Sequence, residues 1–221
     1  MGPYITASIK GRDINEAIEK ITKASRLPYV DFIETRFDCF EDPSLVDLEK
    51  LFSSSSKPLV FTNMPKWEDG YFKGSEKERI SYIKKALVLK PHLYHLELGA
   101  VKKNPDVLQE LDYSSSKQIL SYHDFNSVPN DIEEIMLEMC SKNPFVNKIA
   151  VKPNSEKELK RVENLHELNQ NNKIIIAMGP LGKQTRTDRR NYLTFGALEK
   201  NETTAPGQLT VEELAKELGR I

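Results

Sequence analysis

Cysteine is scarce in this chain. Only Cys39 and Cys140 occur among its 221 residues. They lack metal-ligand spacing, and two are too few for a disulfide framework, so the sequence points to a reducing compartment. An excess of either charge is also missing, with 32 Lys and Arg against 33 Asp and Glu. General nucleic-acid or membrane-surface binders need a basic surplus, so neither class is expected. No apolar run approaches the ~20 residues of a membrane span. The start, Met1-Gly2-Pro3-Tyr4, lacks the basic residues and long apolar run of a signal peptide. The expectation is a soluble cytoplasmic protein.

What the sequence does have is alternation. Short apolar runs at Tyr4–Ile9, Tyr29–Phe37, Leu59–Thr62, Leu93–Leu98, Gln118–Tyr122, Val146–Val151, Lys173–Met178 and Tyr192–Ala197 read as strands. Between them lie amphipathic stretches. Asp13 precedes Ile14, Ala17, Ile18 and Ile21 at helical spacing, with Glu16 placed to close a capping box. Asp131 opens a helix with Ile132, Ile135, Met136 and Met139 on one face, and Thr210 with Glu213 forms a second capping box. The serine runs Ser53–Ser56 and Ser114–Ser116 precede strands and read as spacers. Eight β-α units in a chain of this length predict an α/β fold of the (β/α)8 TIM-barrel type, a single domain over residues 1–221. A doubly wound sheet is the alternative, but no Gly-rich dinucleotide turn follows the first strand.

In such a barrel the chemistry collects at the C-terminal strand ends. Lys148 stands out because it interrupts the apolar run Val146-Asn147-Lys148-Ile149-Ala150-Val151. Burial favours the neutral amine, a nucleophile able to form a Schiff base with a carbonyl. A lysine snorkelling from a strand end, or held in a structural ion pair, is the other reading of that residue alone. Alternation places Glu34, Arg36 and Asp38 on one face at the end of the second strand. His123 lies where the fifth strand becomes loop, next to the strand of Lys148, and histidine is the usual proton shuttle. His92 and His95 are spaced to put their rings on opposite faces, so no metal pair is read there. The loop after strand seven, Gly179 to Arg186, lacks phosphate-loop spacing, but Arg186 suits a carboxylate. Thr204 and Gln208 flank the flap-like Ala205-Pro206-Gly207, and a long polar loop from Asn63 to Glu78 follows strand three.

Taken in order, these motifs resemble type I 3-dehydroquinate dehydratase, the Schiff-base enzyme of the shikimate pathway. The matching residues are Glu34-Thr35-Arg36-x-Asp38, Ser121-Tyr122-His123-Asp124-Phe125, Lys148-Ile149-Ala150, Arg186, Thr194-Phe195-Gly196-Ala197 and Ala205-Pro206-Gly207-Gln208. They run nearly the length of the chain. The resemblance implies that Lys148 forms an imine with 3-dehydroquinate and that His123 moves the protons, with Glu68 supporting the histidine. Arg186 would hold the substrate carboxylate, and Glu34, Arg36, Thr204 and Gln208 would orient the ring. It implies no cofactor, because the lysine is itself the electron sink, and it favours a homodimer. Three departures stand out. Asn63-Met64-Pro65 replaces a Phe-Arg pair that many members carry, unless Lys66 or Lys73 substitutes. His95-Leu96-Glu97 replaces Asp-x-Glu, and Thr204 stands where some relatives have serine. A Schiff-base aldolase and a non-catalytic barrel that senses a small acid are the rival readings.

Overall fold

In a computed structural model, which describes residues 2–168 and 172–221, the strands form one parallel sheet. They are β1 (Tyr4–Ile9), β2 (Phe32–Arg36), β3 (Leu59–Thr62), β4 (Leu93–Glu97), β5 (Lys117–Asp124), β6 (Val146–Val151), β7 (Asn172–Ala177) and β8 (Leu193–Ala197). Each of the first seven pairs with its sequence neighbour, and β1 also pairs with β8. That order is the (β/α)8 barrel. The helices are α1 (Ile14–Ser25), α2 (Leu48–Ser53), α3 (Glu76–Val88), α4 (Leu98–Lys103), α5 (Val107–Leu111), α6 (Ile132–Ser141), α7 (Glu156–Asn164) and α8 (Val211–Glu217). After β7 comes a 3-10 run, Pro180–Thr187, in place of a longer helix. No helix among the described residues is long and apolar enough to cross a membrane.

Strand alternation divides the apolar residues into two cores. Outward residues such as Ile5, Ile33, Phe61, Leu96, Leu120, Ile149 and Ile175 meet Ile21, Ile83, Met136, Val162 and Leu214 from the helices. Inward residues Phe32, Val60, Leu93, Ile119, Val146, Ile174 and Leu193 fill the barrel. At the N-terminal end Tyr4 packs edge-on against Phe32 and Tyr192, and Phe145 packs edge-on against Tyr192. This aromatic floor directs the interior toward the C-terminal strand ends. His92 is exposed beside the floor, edge-on to Phe32, whereas His95 is buried beside His123, so the two do not converge.

Several boundaries differ from the sequence reading, each for a local reason. The second strand begins at Phe32 rather than Tyr29, because the Asp31 carboxylate, not a strand partner, accepts from Ile5 N at 2.8 Å. It ends at Arg36, whose ψ of 79° turns Phe37–Cys39 into a 3-10 turn. Strand five extends to Asp124, so His123 belongs to the strand itself. Asp13 caps α1, but Glu16 accepts from Arg12 N rather than closing a box on Asp13. The long loop after β3 stops at Ser75, which forms a capping box with Glu78 and starts α3. The box at Thr210 and Glu213 forms as expected.

The joint between β7 and β8 is fastened differently from the other seven. Tyr192 N donates to Lys173 O at 2.7 Å, but the next two outward amides of β7 meet side chains. Ile175 N donates to Asn191 Oδ1 at 2.7 Å, and Ala177 N to Thr185 Oγ1 at 2.9 Å. Asn191 Nδ2 in turn donates to Thr185 O at 2.8 Å. The 3-10 run lies so close that a Cβ on Gly182 would sit 2.1 Å from Ala177 O. Asn191→Ala leaves the buried Ile175 amide without its acceptor. The expected cost is about 1–3 kcal/mol, read as a lower urea midpoint with an unchanged m-value.

Candidate active site

The polar inward residues concentrate above the apolar core, at the barrel mouth. There a pocket is lined by Glu34, Arg36, His123, Lys148, Arg186, Thr204 and Gln208. These are seven of the eight site residues expected from the sequence. Glu68, the eighth, stands behind His123 with its Oε2 2.7 Å from Nδ1.

Lys148 reaches the cavity because β6 places Val146, Lys148 and Ala150 on its inner face. It is 8% exposed, and no carboxylate pairs with it among the described residues. Burial pushes its ammonium down to about 8, opposed by Glu34 and aided by Arg36. Its Nζ sits 4.2 Å from the centroid of the Phe195 ring. Across the β5–β6 ladder, Ser121 is level with Lys148 and His123 with Ala150. The small Ala150 therefore leaves space between imidazole and amine.

His123 is buried, and burial holds its imidazole neutral, reinforced by the charges of Lys148 and Arg36. With Nδ1 engaged by Glu68, Nε2 is the nitrogen available to the cavity. The loop that carries Glu68 is held by an ion-pair chain that the sequence reading missed. Fully buried Arg79 on α3 bonds Asn63 O at 2.7 Å, Glu76 at 2.8 Å and Glu97 Oε2 at 2.7 Å. Arg79 and Lys103 both lie against the Trp67 ring, which precedes Glu68. Burial raises Glu97 to about 7 despite Arg79.

The two mouth arginines differ. Arg36 is clamped by Asp38 through Nε at 2.9 Å and Nη2 at 2.7 Å. Arg186 meets no carboxylate among the described residues. Its Nη2 donates to Pro206 O at 3.1 Å, its Nε is buried without a partner, and burial lowers it to about 10. A desolvated guanidinium with donors to spare suits a ligand carboxylate. Pro206 O also accepts from Gly179 N, which ties the flap to the loop after β7. Gly207, at φ +70°, packs so close that a Cβ there would be 3.0 Å from Gly179 O. Within the flap Gln208 Oε1 accepts from Thr204 N and Oγ1, so its oxygen is engaged by the flap itself.

Glu34 accepts from Ser8 Oγ at 2.6 Å and Thr62 Oγ1 at 2.8 Å. Ser8, Met64, Asp69, Met178 and Phe195 complete much of the lining. Ser8 was discoverable, being an inward position at a strand end. Asp69 was not, since it reaches the cavity from a left-handed residue at φ 57°. Met64, from the stretch where the resemblance implied an arginine, lines the cavity. Neither lysine substitutes for that arginine, because exposed Lys66 lies outside the cavity and Lys73 lines a different cleft.

Comparison with known proteins shows the family. The family described as Type I 3-dehydroquinase matches residues 5–220. A 3-dehydroquinate dehydratase of Methanocaldococcus jannaschii is 31% identical over 218 residues, covering 94% of this chain and 96% of the relative. One from Pyrococcus abyssi is 33% identical, covering 95% and 94%. The crystal structure of the type I 3-dehydroquinate dehydratase of Clostridium difficile, with covalent modified comenic acid, superposes with a TM-score of 0.88. It is 27% identical, and the match covers 100% of this chain and 93% of that one.

Proposed function

Because the chain belongs to the type I 3-dehydroquinase family, we propose that it removes water from 3-dehydroquinate to give 3-dehydroshikimate through an imine on Lys148. The observation that carries this reading is the buried, unpaired Lys148 facing the same cavity as the His123–Glu68 pair. The neutral amine adds to the ketone carbon, the ketone oxygen takes one proton from the amine and one from solvent and leaves as water, and an iminium with one N–H remains. The face of Phe195 supports that positive charge. The iminium draws electrons from the neighbouring C–H, and His123 Nε2 takes the proton while Glu68 steadies Nδ1. The electron pair then moves to expel the hydroxyl on the next carbon, which leaves as water with the proton returned by His123. A second water hydrolyses the product imine and frees Lys148.

Arg186 supplies the carboxylate grip, while Glu34, Arg36, Thr204 and Gln208 orient the ring. Arg186→Leu is expected to raise KM about 10- to 100-fold, the loss of one charge-assisted contact, with trapping of Lys148 retained at saturating substrate. The same reading takes residues 1–221 as one catalytic barrel that acts as a cytoplasmic homodimer.

The direct test is borohydride reduction with 3-dehydroquinate, followed by intact mass and peptide mapping. A reduced adduct on Lys148 together with appearance of 3-dehydroshikimate is the expected result. A folded protein that gives neither sinks the reading. An adduct without water loss, or with carbon–carbon cleavage, points instead to another Schiff-base barrel.

A further inference from the structure

One buried histidine next to this machinery has no part in the reaction just described. His95, on β4, faces into the barrel and is 1% exposed. Its ring meets that of His123 edge-on, with centroids 5.7 Å apart and planes at 61°. On its other side Nδ1 lies 3.5 Å from Thr62 Oγ1. A threonine hydroxyl has one hydrogen, and that of Thr62 goes to Glu34 Oε1 at 2.8 Å. Toward His95 the hydroxyl offers only lone pairs, so Nδ1 carries the imidazole hydrogen. Nε2 is then a bare acceptor, and it is buried without a partner among the described residues.

An orphaned acceptor in a dry interior costs stability, and a phenyl ring would fill the same space without that cost. Burial keeps His95 neutral, and among the charges acting on it Lys148 weighs most, ahead of His123, Arg36 and Arg79. The lysine nitrogen, on the inner face of β6 against the Phe195 ring, is a donor that the reaction reshapes. Its N–H count falls as the amine becomes an iminium, and one N–H remains to be aimed.

We propose that His95 is a positioning residue for Lys148, its bare Nε2 accepting the hydrogen bond from the lysine nitrogen as the iminium forms. A neutral acceptor fixes the direction of that N–H without adding the negative charge that would keep the free amine protonated. Turned this way, the iminium plane is held against Phe195 on one side and opens toward His123 on the other. The proposal rests on the Schiff-base reading above.

The test compares the unsubstituted chain with His95→Phe and His95→Gln, following kcat, KM and the borohydride-trapped fraction of Lys148. His95→Phe keeps a ring but loses the acceptor, so kcat should fall about tenfold while KM stays within about twofold. His95→Gln places an amide group near the Nε2 position and should recover most of the loss. Should the phenylalanine variant fail to fold, His95→Met makes the same comparison. An unchanged kcat in the apolar variant overturns the proposal, as does a glutamine variant no better than the apolar one. If the unsubstituted chain itself traps nothing on Lys148, the Schiff-base reading fails and this one with it. Trapping that is normal in the unsubstituted chain while the variants behave alike removes only the role of His95.

Discussion

Lys148→Ala is expected to lower kcat by more than about 10⁴-fold, because no neighbouring residue can replace a covalent electron sink. The borohydride adduct should vanish with it. The protein should remain folded, since the substitution removes a desolvated ammonium rather than a partnered one. The unsubstituted chain should show the matching pH dependence. Burial lowers the lysine to about 8, so the nucleophilic form grows as pH rises toward that value. About one tenth of the amine is neutral at pH 7, and the initial trapping rate should climb about tenfold from pH 6 to pH 7 before levelling above pH 8. Trapping that is flat across this range would mean that Lys148 is not the attacking nucleophile.

His123→Ala is expected to cost about 10²- to 10⁴-fold in kcat, the usual weight of a general acid–base group. Its signature differs from that of the lysine variant. With Lys148 intact, 3-dehydroquinate still condenses, but the proton beside the iminium has no acceptor. Borohydride should therefore trap the imine of the substrate, heavier by one water than the imine of the product. Intact mass separates the two directly. A trapped product imine in His123→Ala would move the base elsewhere, and Glu68 would be the first residue to examine.

The residues that were legible in the sequence are those whose placement follows from strand alternation. Lys148, His123, Glu34 and Arg36 lie on inner faces of strands, and a period of two is enough to converge them once the barrel is inferred. Glu68 is legible only by family resemblance, since nothing in Trp67-Glu68-Asp69 says that its carboxylate will reach back to a histidine 55 positions on. The support beneath Glu68 is illegible altogether. Arg79 lies in a helix whose pattern reads as solvent-facing at that position, and its burial follows from meeting Asn63 O and Glu97 across three elements. The same holds for the two mouth arginines. Their sequence contexts do not reveal that Asp38 occupies Arg36 while Arg186 is left with buried, unpartnered Nε. Such distinctions depend on side-chain reach after packing, which periodicity does not encode.

The side-chain fastening between β7 and β8 makes the barrel, mechanically, a rolled ribbon with a clasp rather than a uniform hoop. Seven joints share strain along ladders of backbone bonds, whereas the eighth concentrates it on Asn191 and Thr185. The clasp occupies a single line. That line runs up between the Arg186 loop and the flap of Thr204 to Gln208, which Pro206 O bridges at the rim. The wall that carries Lys148 and His123 is joined to its neighbours by unbroken backbone ladders, so the clasp lies on the opposite flank of the mouth, beside Arg186.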